Sequence, residues 1–151
     1  MRLRMPVTVA IAVVALSVVV AVQISLAVLM AGSRQVGWGM WSFAGVLWIL
    51  ILVGVARGWR LAWLWARYLT MILGMVLVAT VLTRVRELAP TALAVSLLGL
   101  ALPLFTAGIA LGRRSAYPYF GLVCPTCSAL TGLGADFLFR KARCRKCGAV
   151  W

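Results

Sequence analysis

Cys124-Pro125-Thr126-Cys127 and Cys144-Arg145-Lys146-Cys147 are two CxxC pairs separated by sixteen residues. Paired CxxC motifs roughly 15–20 residues apart match the ligand spacing of a tetrahedral metal site. Each pair can turn tightly enough to aim two thiolates and several backbone amides at one ion, and Gly148 can take the positive φ that such a turn requires. The expected cofactor is a structural Zn²⁺ held by Cys124, Cys127, Cys144 and Cys147. Four cysteines close the coordination sphere and leave no position for a catalytic water, which argues against a hydrolase. Iron takes the same ligand type, and two disulfides would serve in an oxidising compartment, so spacing alone does not select among them.

Between the pairs, Gly132-Leu133-Gly134 supplies a turn, and Phe137 and Phe139 alternate with Leu138 and Arg140 as in a half-buried strand. Over 123–151 this pattern resembles a zinc ribbon, in which one metal pins two knuckles and a small β-hairpin lies between them. The resemblance implies that metal binding supplies most of the folding free energy of the module, on the order of 10 kcal/mol. Ser128 departs from the pattern, since many ribbons carry glycine there.

The elements that must carry this module are apolar. Of 151 residues, 65% are hydrophobic and 11% charged, against about half and a quarter in a soluble domain. Four stretches reach the roughly 20 residues needed to cross a bilayer, at 7–31, 38–56, 61–82 and 90–112. Arg2 and Arg4 resemble the start of a signal peptide, but the apolar part of such a peptide runs only about 7–15 residues, so a retained first span is expected. Pro6 suits the entry to that helix and Pro103 is expected to kink the last one. No internal repeat or low-complexity tract is evident. The expected fold is an all-α membrane protein, a four-transmembrane-helix bundle over 1–112, followed by a juxtamembrane linker over 113–122 and a small C-terminal β zinc ribbon over 123–151.

Fifteen Lys and Arg against two acids give a net charge of +13. Twelve of the cations fall on one side of the four spans, counting Arg2, Arg4, Arg57, Arg60, Arg67 and seven in the tail, and three fall on the other, Arg34, Arg84 and Arg86. This bias places both termini in the cytoplasm, in what is expected to be a bacterial inner membrane. It also puts the cysteines in a reducing compartment, where metal is favoured over disulfides. Trp38 and Trp41 are expected at the outer interface, Trp59, Trp63 and Trp65 at the inner one, and Trp48 near mid-membrane. The Arg57-Gly58-Trp59-Arg60 link followed by Trp65-Ala66-Arg67 resembles small uncharacterised four-helix membrane proteins of bacteria, a likeness that brings no activity with it.

Within the spans, Arg60, Trp63, Leu64 and Arg67 share one helix face, and Arg67 is expected to snorkel to the headgroups. Arg57, Arg60, Arg67, Arg113 and Arg114 are candidate contacts for anionic lipid. Gly54 and Gly58, and Gly108 and Gly112, stand in GxxxG spacing, which suits packing inside the bundle or, less simply, a dimer face. No Asp, Glu, His or Lys lies in any span, and the chain has no histidine. The hydroxyls of Ser25, Ser42, Thr70, Thr80, Ser96 and Thr106 are expected to bond their own backbone, so no catalytic residues are assigned and the chain is not expected to be an enzyme.

Arg140, Lys141, Arg143, Arg145 and Lys146 surround the second cysteine pair. Four thiolates around Zn²⁺ together with Asp136 offset part of this charge and leave the module near +2, so lipid headgroups or a cytosolic protein are preferred over nucleic acid as its partner. Three functions follow: a non-enzymatic scaffold or docking protein, a rubredoxin-like iron redox protein at the membrane, and a small channel or exporter that is a homo-oligomer through Gly108 and Gly112.

Overall fold

A computed structural model of the chain describes residues 5–32, 38–84, 91–130 and 143–150. Four helices account for most of them: α1 (Val7–Gly32), α2 (Trp38–Ala56), α3 (Arg60–Arg84) and α4 (Thr91–Gly112). These bounds lie within two residues of the expected spans. Runs of this apolarity form helices because a backbone removed from water must satisfy its polar groups within its own segment. Three helices, α1, α3 and α4, are long and apolar enough to cross a membrane, while the part of α2 whose side chains are described is a shorter apolar stretch, Phe43–Ala56.

Each helix packs on its sequence neighbours, and α1 closes the ring against α4. The core runs through Leu16 and Val19 of α1, Trp48 and Val55 of α2, Trp63 and Ala66 of α3, and Leu104 and Leu111 of α4. Large apolar side chains such as Val14, Phe43, Met75 and Leu102 face outward, as they do in a bundle solvated by lipid. The Pro6 carbonyl accepts the Val9 and Ala10 amides at 2.9 and 3.0 Å and so opens α1. α4 continues through Pro103, which withdraws the amide that would bond the Gly99 carbonyl.

The α2–α3 connection is set by Gly58. With φ at +73° it ends α2 in the left-handed conformation, its amide bonding the Val55 carbonyl at 3.1 Å and the Trp59 amide bonding the Gly54 carbonyl at 2.8 Å. Gly54 then lies against Ala62 and Trp59 of the returning helix.

Gly108 and Gly112 serve the α3–α4 seam. A Cβ on Gly108 would stand 2.8 Å from Thr70 Oγ1 and 2.9 Å from Met71 Cγ, and one on Gly112 would meet the Arg67 guanidinium at 3.6–3.8 Å. This is the packing inside the bundle that the GxxxG spacing suits, and the alternative dimer face is occupied by a helix of the same chain. Hydroxyls behave as expected of lone polar groups in apolar helices. Ser25, Thr70, Thr80 and Thr106 each donate to the carbonyl four residues back, at 2.6–2.9 Å.

Replacing Gly108 with Leu is expected to cost about 1–3 kcal/mol, because overpacking must part α3 from α4. Gly99→Leu, at an exposed position whose Cβ enters open space, is expected to stay within about 0.5 kcal/mol of the parent. Thermal unfolding of the two variants in one detergent checks the contrast.

Candidate metal centre

The tail is mounted on the bundle through a cap rather than a loose linker. After α4, Arg114–Ala116 forms a single 3-10 turn, and the chain then folds across the ends of α2 and α4. The last carbonyls of a helix have no partner within it, and here aromatic side chains supply one. The Trp63 indole N–H donates to the Leu111 carbonyl at 2.9 Å and the Tyr117 hydroxyl to the Gly112 carbonyl at 3.0 Å. The Tyr119 hydroxyl reaches the Ala56 carbonyl at the end of α2.

Phe120 fills the space between these groups. It is 1% exposed, tilted against Trp63 at 6.3 Å and edge-on to Tyr119 at 5.2 Å. The Arg60 Nε donates to the Phe120 carbonyl at 3.3 Å.

Of the three tryptophans expected at this interface, Trp63 is the one drawn into the protein interior. It is 5% exposed, whereas Trp59 and Trp65 are about half exposed at 52% and 53%. The reason lies in its partner: on α3 only a side chain facing α4 can reach the Leu111 carbonyl. Arg67 turns its guanidinium back over the Trp63 ring at 5.5 Å, toward the start of α3, the direction in which a helical side chain extends. Arg57, which is exposed, stacks over Trp59 at 5.8 Å. Arg113 and Arg114 are exposed at the foot of α4.

Leu122, 5% exposed, is the last core residue, and the first knuckle begins one residue later. Val123 to Leu130 and Arg143 to Val150 fold alike. Each is framed by an isolated antiparallel bridge, Val123 with Leu130 and Arg143 with Val150. In the first, the Cys124 amide bonds the Ala129 carbonyl at 2.9 Å and the Ser128 amide the Cys124 carbonyl at 2.9 Å. In the second, the Cys144 amide bonds the Ala149 carbonyl at 2.8 Å and the Gly148 amide the Cys144 carbonyl at 2.9 Å.

The two segments thus share one seven-residue pattern, Cys-x-x-Cys, a small residue, Ala and an aliphatic residue, at 124–130 and 144–150, offset by twenty positions. This is a short internal repeat that the sequence reading passes over. Ser128 adopts φ of 53° where Gly148 adopts 73°, so the expected departure at Ser128 leaves the turn unchanged. Among the described residues the tail forms no strand beyond these bridges. The turn at Gly132–Gly134, the alternation at Phe137 and Phe139, and Asp136, Arg140 and Lys141 lie outside the described residues, as do the side chains of Trp38 and Trp41.

The knuckles bring all four sulfurs within 4.8 Å of one another. Cys124 Sγ lies 3.6 Å from Cys147 Sγ, and Cys127 Sγ lies 3.5 Å from Cys144 Sγ. A tetrahedral ion with metal–sulfur bonds of about 2.3 Å sets its sulfurs about 3.8 Å apart, so the donor set fits such an ion. Disulfides require about 2.05 Å, and the four cysteines are free.

Burial of Cys124 opposes ionisation but is outweighed by the amides of Cys127 and Thr126 and by the neighbouring sulfurs, which hold its thiol down at about 6. The amides of Cys147 and Lys146 likewise lower the Cys144 thiol. The Ala149 amide favours the Cys147 thiolate, yet desolvation and the three other sulfurs push this thiol up to about 12. Four sulfurs at this distance cannot all carry charge without a cation among them, and a divalent ion removes that conflict. No known protein family, curated protein or solved structure matches the chain.

A non-glycine residue in the left-handed region costs about 1–2 kcal/mol, part of which glycine gives back in chain entropy. Ser128→Gly is expected to tighten metal binding by about two- to fivefold and Gly148→Ser to weaken it by a similar factor. Competition with a chelator, using purified full-length protein, measures both.

Proposed function

We propose that the chain is a non-enzymatic, four-span membrane protein with both termini in the cytoplasm, whose cysteine centre holds a structural zinc ion and presents a docking face to a cytosolic protein partner. The observation that carries this reading is the closed cluster of four sulfurs beginning two residues after the buried Leu122. A site with no open coordination position is built to hold a shape rather than to turn over a substrate. A module mounted without slack on a bundle presents that shape at a fixed height and angle.

The exposed face is basic. Arg143, Arg145 and Lys146 all reach solvent around the second knuckle, together with the exposed Val150. An apolar side chain rimmed by cations suits an acidic polypeptide surface, where complementary charge accelerates encounter. The fourth span rests on α2, whose 19 residues give a length of about 28 Å, close to the thickness of the hydrocarbon core. The orientation rests on the excess of Lys and Arg on one side.

Protein purified from its native host is expected to contain one zinc per chain and no visible thiolate-to-iron absorption. Stoichiometric iron would instead establish the redox reading. A triple variant, Arg143→Glu, Arg145→Glu and Lys146→Glu, is expected to keep its zinc and reproduce the phenotype of deleting 123–151. If that deletion has no phenotype and nothing crosslinks to the full-length protein in cells, the docking reading fails.

A further inference from the structure

The described residues of α1 and α4 leave an open groove of about 500 Å³ between them. Its walls are apolar: Val7, Ala10 and Val14 on α1, and Gly99, Leu102 and Thr106 on α4. The one hydroxyl among these, on Thr106, is turned to the Leu102 carbonyl at 2.8 Å. Gly99 faces open space, with nothing within 4 Å of where a Cβ would stand.

The groove occupies the half of the bundle nearest the cap. Thr8 Oγ1 and Ser115 Oγ lie 3.2 Å apart, so the turn after α4 rests on the first turn of α1, beside Val7. Arg113 is the first residue beyond α4, seven positions after the groove-lining Thr106, and stands at the foot of that helix where the backbone leaves it in an extended conformation. Arg113 and Arg114 are both exposed. Neither has a hydrogen bond or an ion pair from its side chain among the described residues, and the whole chain holds only two carboxylates, Glu87 and Asp136, with which to neutralise fifteen cations.

The geometry points to a binding site for one anionic glycerophospholipid, with an acyl chain in the α1–α4 groove and its phosphate on Arg113 and Arg114. An apolar slot with a cationic mouth matches the division of such a lipid into tail and headgroup, and the planar guanidinium suits a phosphate oxygen pair. A second copy of the chain fits less well. A two-fold interface along this groove would set the arginines of one copy against those of the other, and like charges across an interface are repulsive. The site depends on the reading of these helices as membrane spans, but not on which compartment holds the termini.

Full-length protein stripped of lipid in detergent, titrated with dioleoyl phosphatidylglycerol or dioleoyl phosphatidylcholine and read by native mass spectrometry, tests the site. The first bound phosphatidylglycerol is expected to be favoured by about tenfold or more over phosphatidylcholine, the contribution of two arginines near the surface. Arg113→Gln with Arg114→Gln is expected to erase this preference while leaving phosphatidylcholine binding unchanged. Gly99→Phe, whose Cβ enters open space and whose ring would occupy the groove against its apolar walls, is expected to weaken the first binding event for both lipids with the thermal midpoint unchanged. Equal affinity of the parent for the two lipids, unaltered binding by Gly99→Phe, or a dimer crosslinked through α1 and α4 would each overturn the site. Extraction of the protein from membranes by alkaline carbonate would overturn the membrane reading with it, and is scored separately.

Discussion

Two helices of this chain, α2 and α4, finish at the same end of the bundle without touching each other, and their final carbonyls need donors in a region that water reaches poorly. That requirement organises the cytoplasm-proposed end of the molecule. Trp63, Tyr117 and Tyr119 each place an apolar ring in the bundle base and a single polar hydrogen on the Leu111, Gly112 or Ala56 carbonyl. An aromatic side chain is suited to this task because it contributes a large apolar body and one donor at its tip. Once three such rings converge, the space among them must be filled, and Phe120 fills it. The position of the metal module follows, for only Gly121 to Val123 separate Phe120 from Cys124.

The helices and the cysteine site are legible in the sequence because each rests on a constraint that few residues can satisfy. Twenty apolar residues in a row have essentially one way to bury their backbone, and two CxxC pairs have few chemical uses besides metal. The cap is less legible because its residues satisfy two environments equally well. A tryptophan near a membrane surface can lie among headgroups, as the exposure of Trp65 suits, or close a helix end, as Trp63 does; they sit two residues apart on opposite sides of α3. The signal that separates them is register: Trp63 shares a face with Ala66 and Thr70, both buried toward α4, and Trp65 does not. In the same way, Gly108 and Gly112 read as a generic close-approach motif until Thr70, Met71 and Arg67 are found opposite them.

The repeat of the knuckles was hidden by the residues that differ, not by those that match. Pro125 and Thr126 in the first unit stand where Arg145 and Lys146 stand in the second, and these positions point outward in both. What the fold needs is the pair of cysteines, a residue able to hold positive φ, and the Ala that returns a carbonyl to the first cysteine's amide. Serine meets the second condition at a cost that glycine avoids. The outward positions are then free to carry charge, which explains why one unit is neutral beside the bundle and the other basic.

This asymmetry divides the energetics of the chain. The first knuckle is tied through Leu122 to a core that exists without any ion, since the packing of Phe120, Trp63 and Leu111 involves no cysteine. Among the described residues, the sulfur pairs Cys124–Cys147 and Cys127–Cys144 tie the second knuckle to the first. The binding free energy of a metal held here would go into ordering the second knuckle against the first, while bundle stability rests on apolar packing and on the capped helix ends. In the docking function proposed above, a basic face placed by the ion would stand on a base that packs without it, and occupancy of the cysteine centre would then decide whether that face is presented at all.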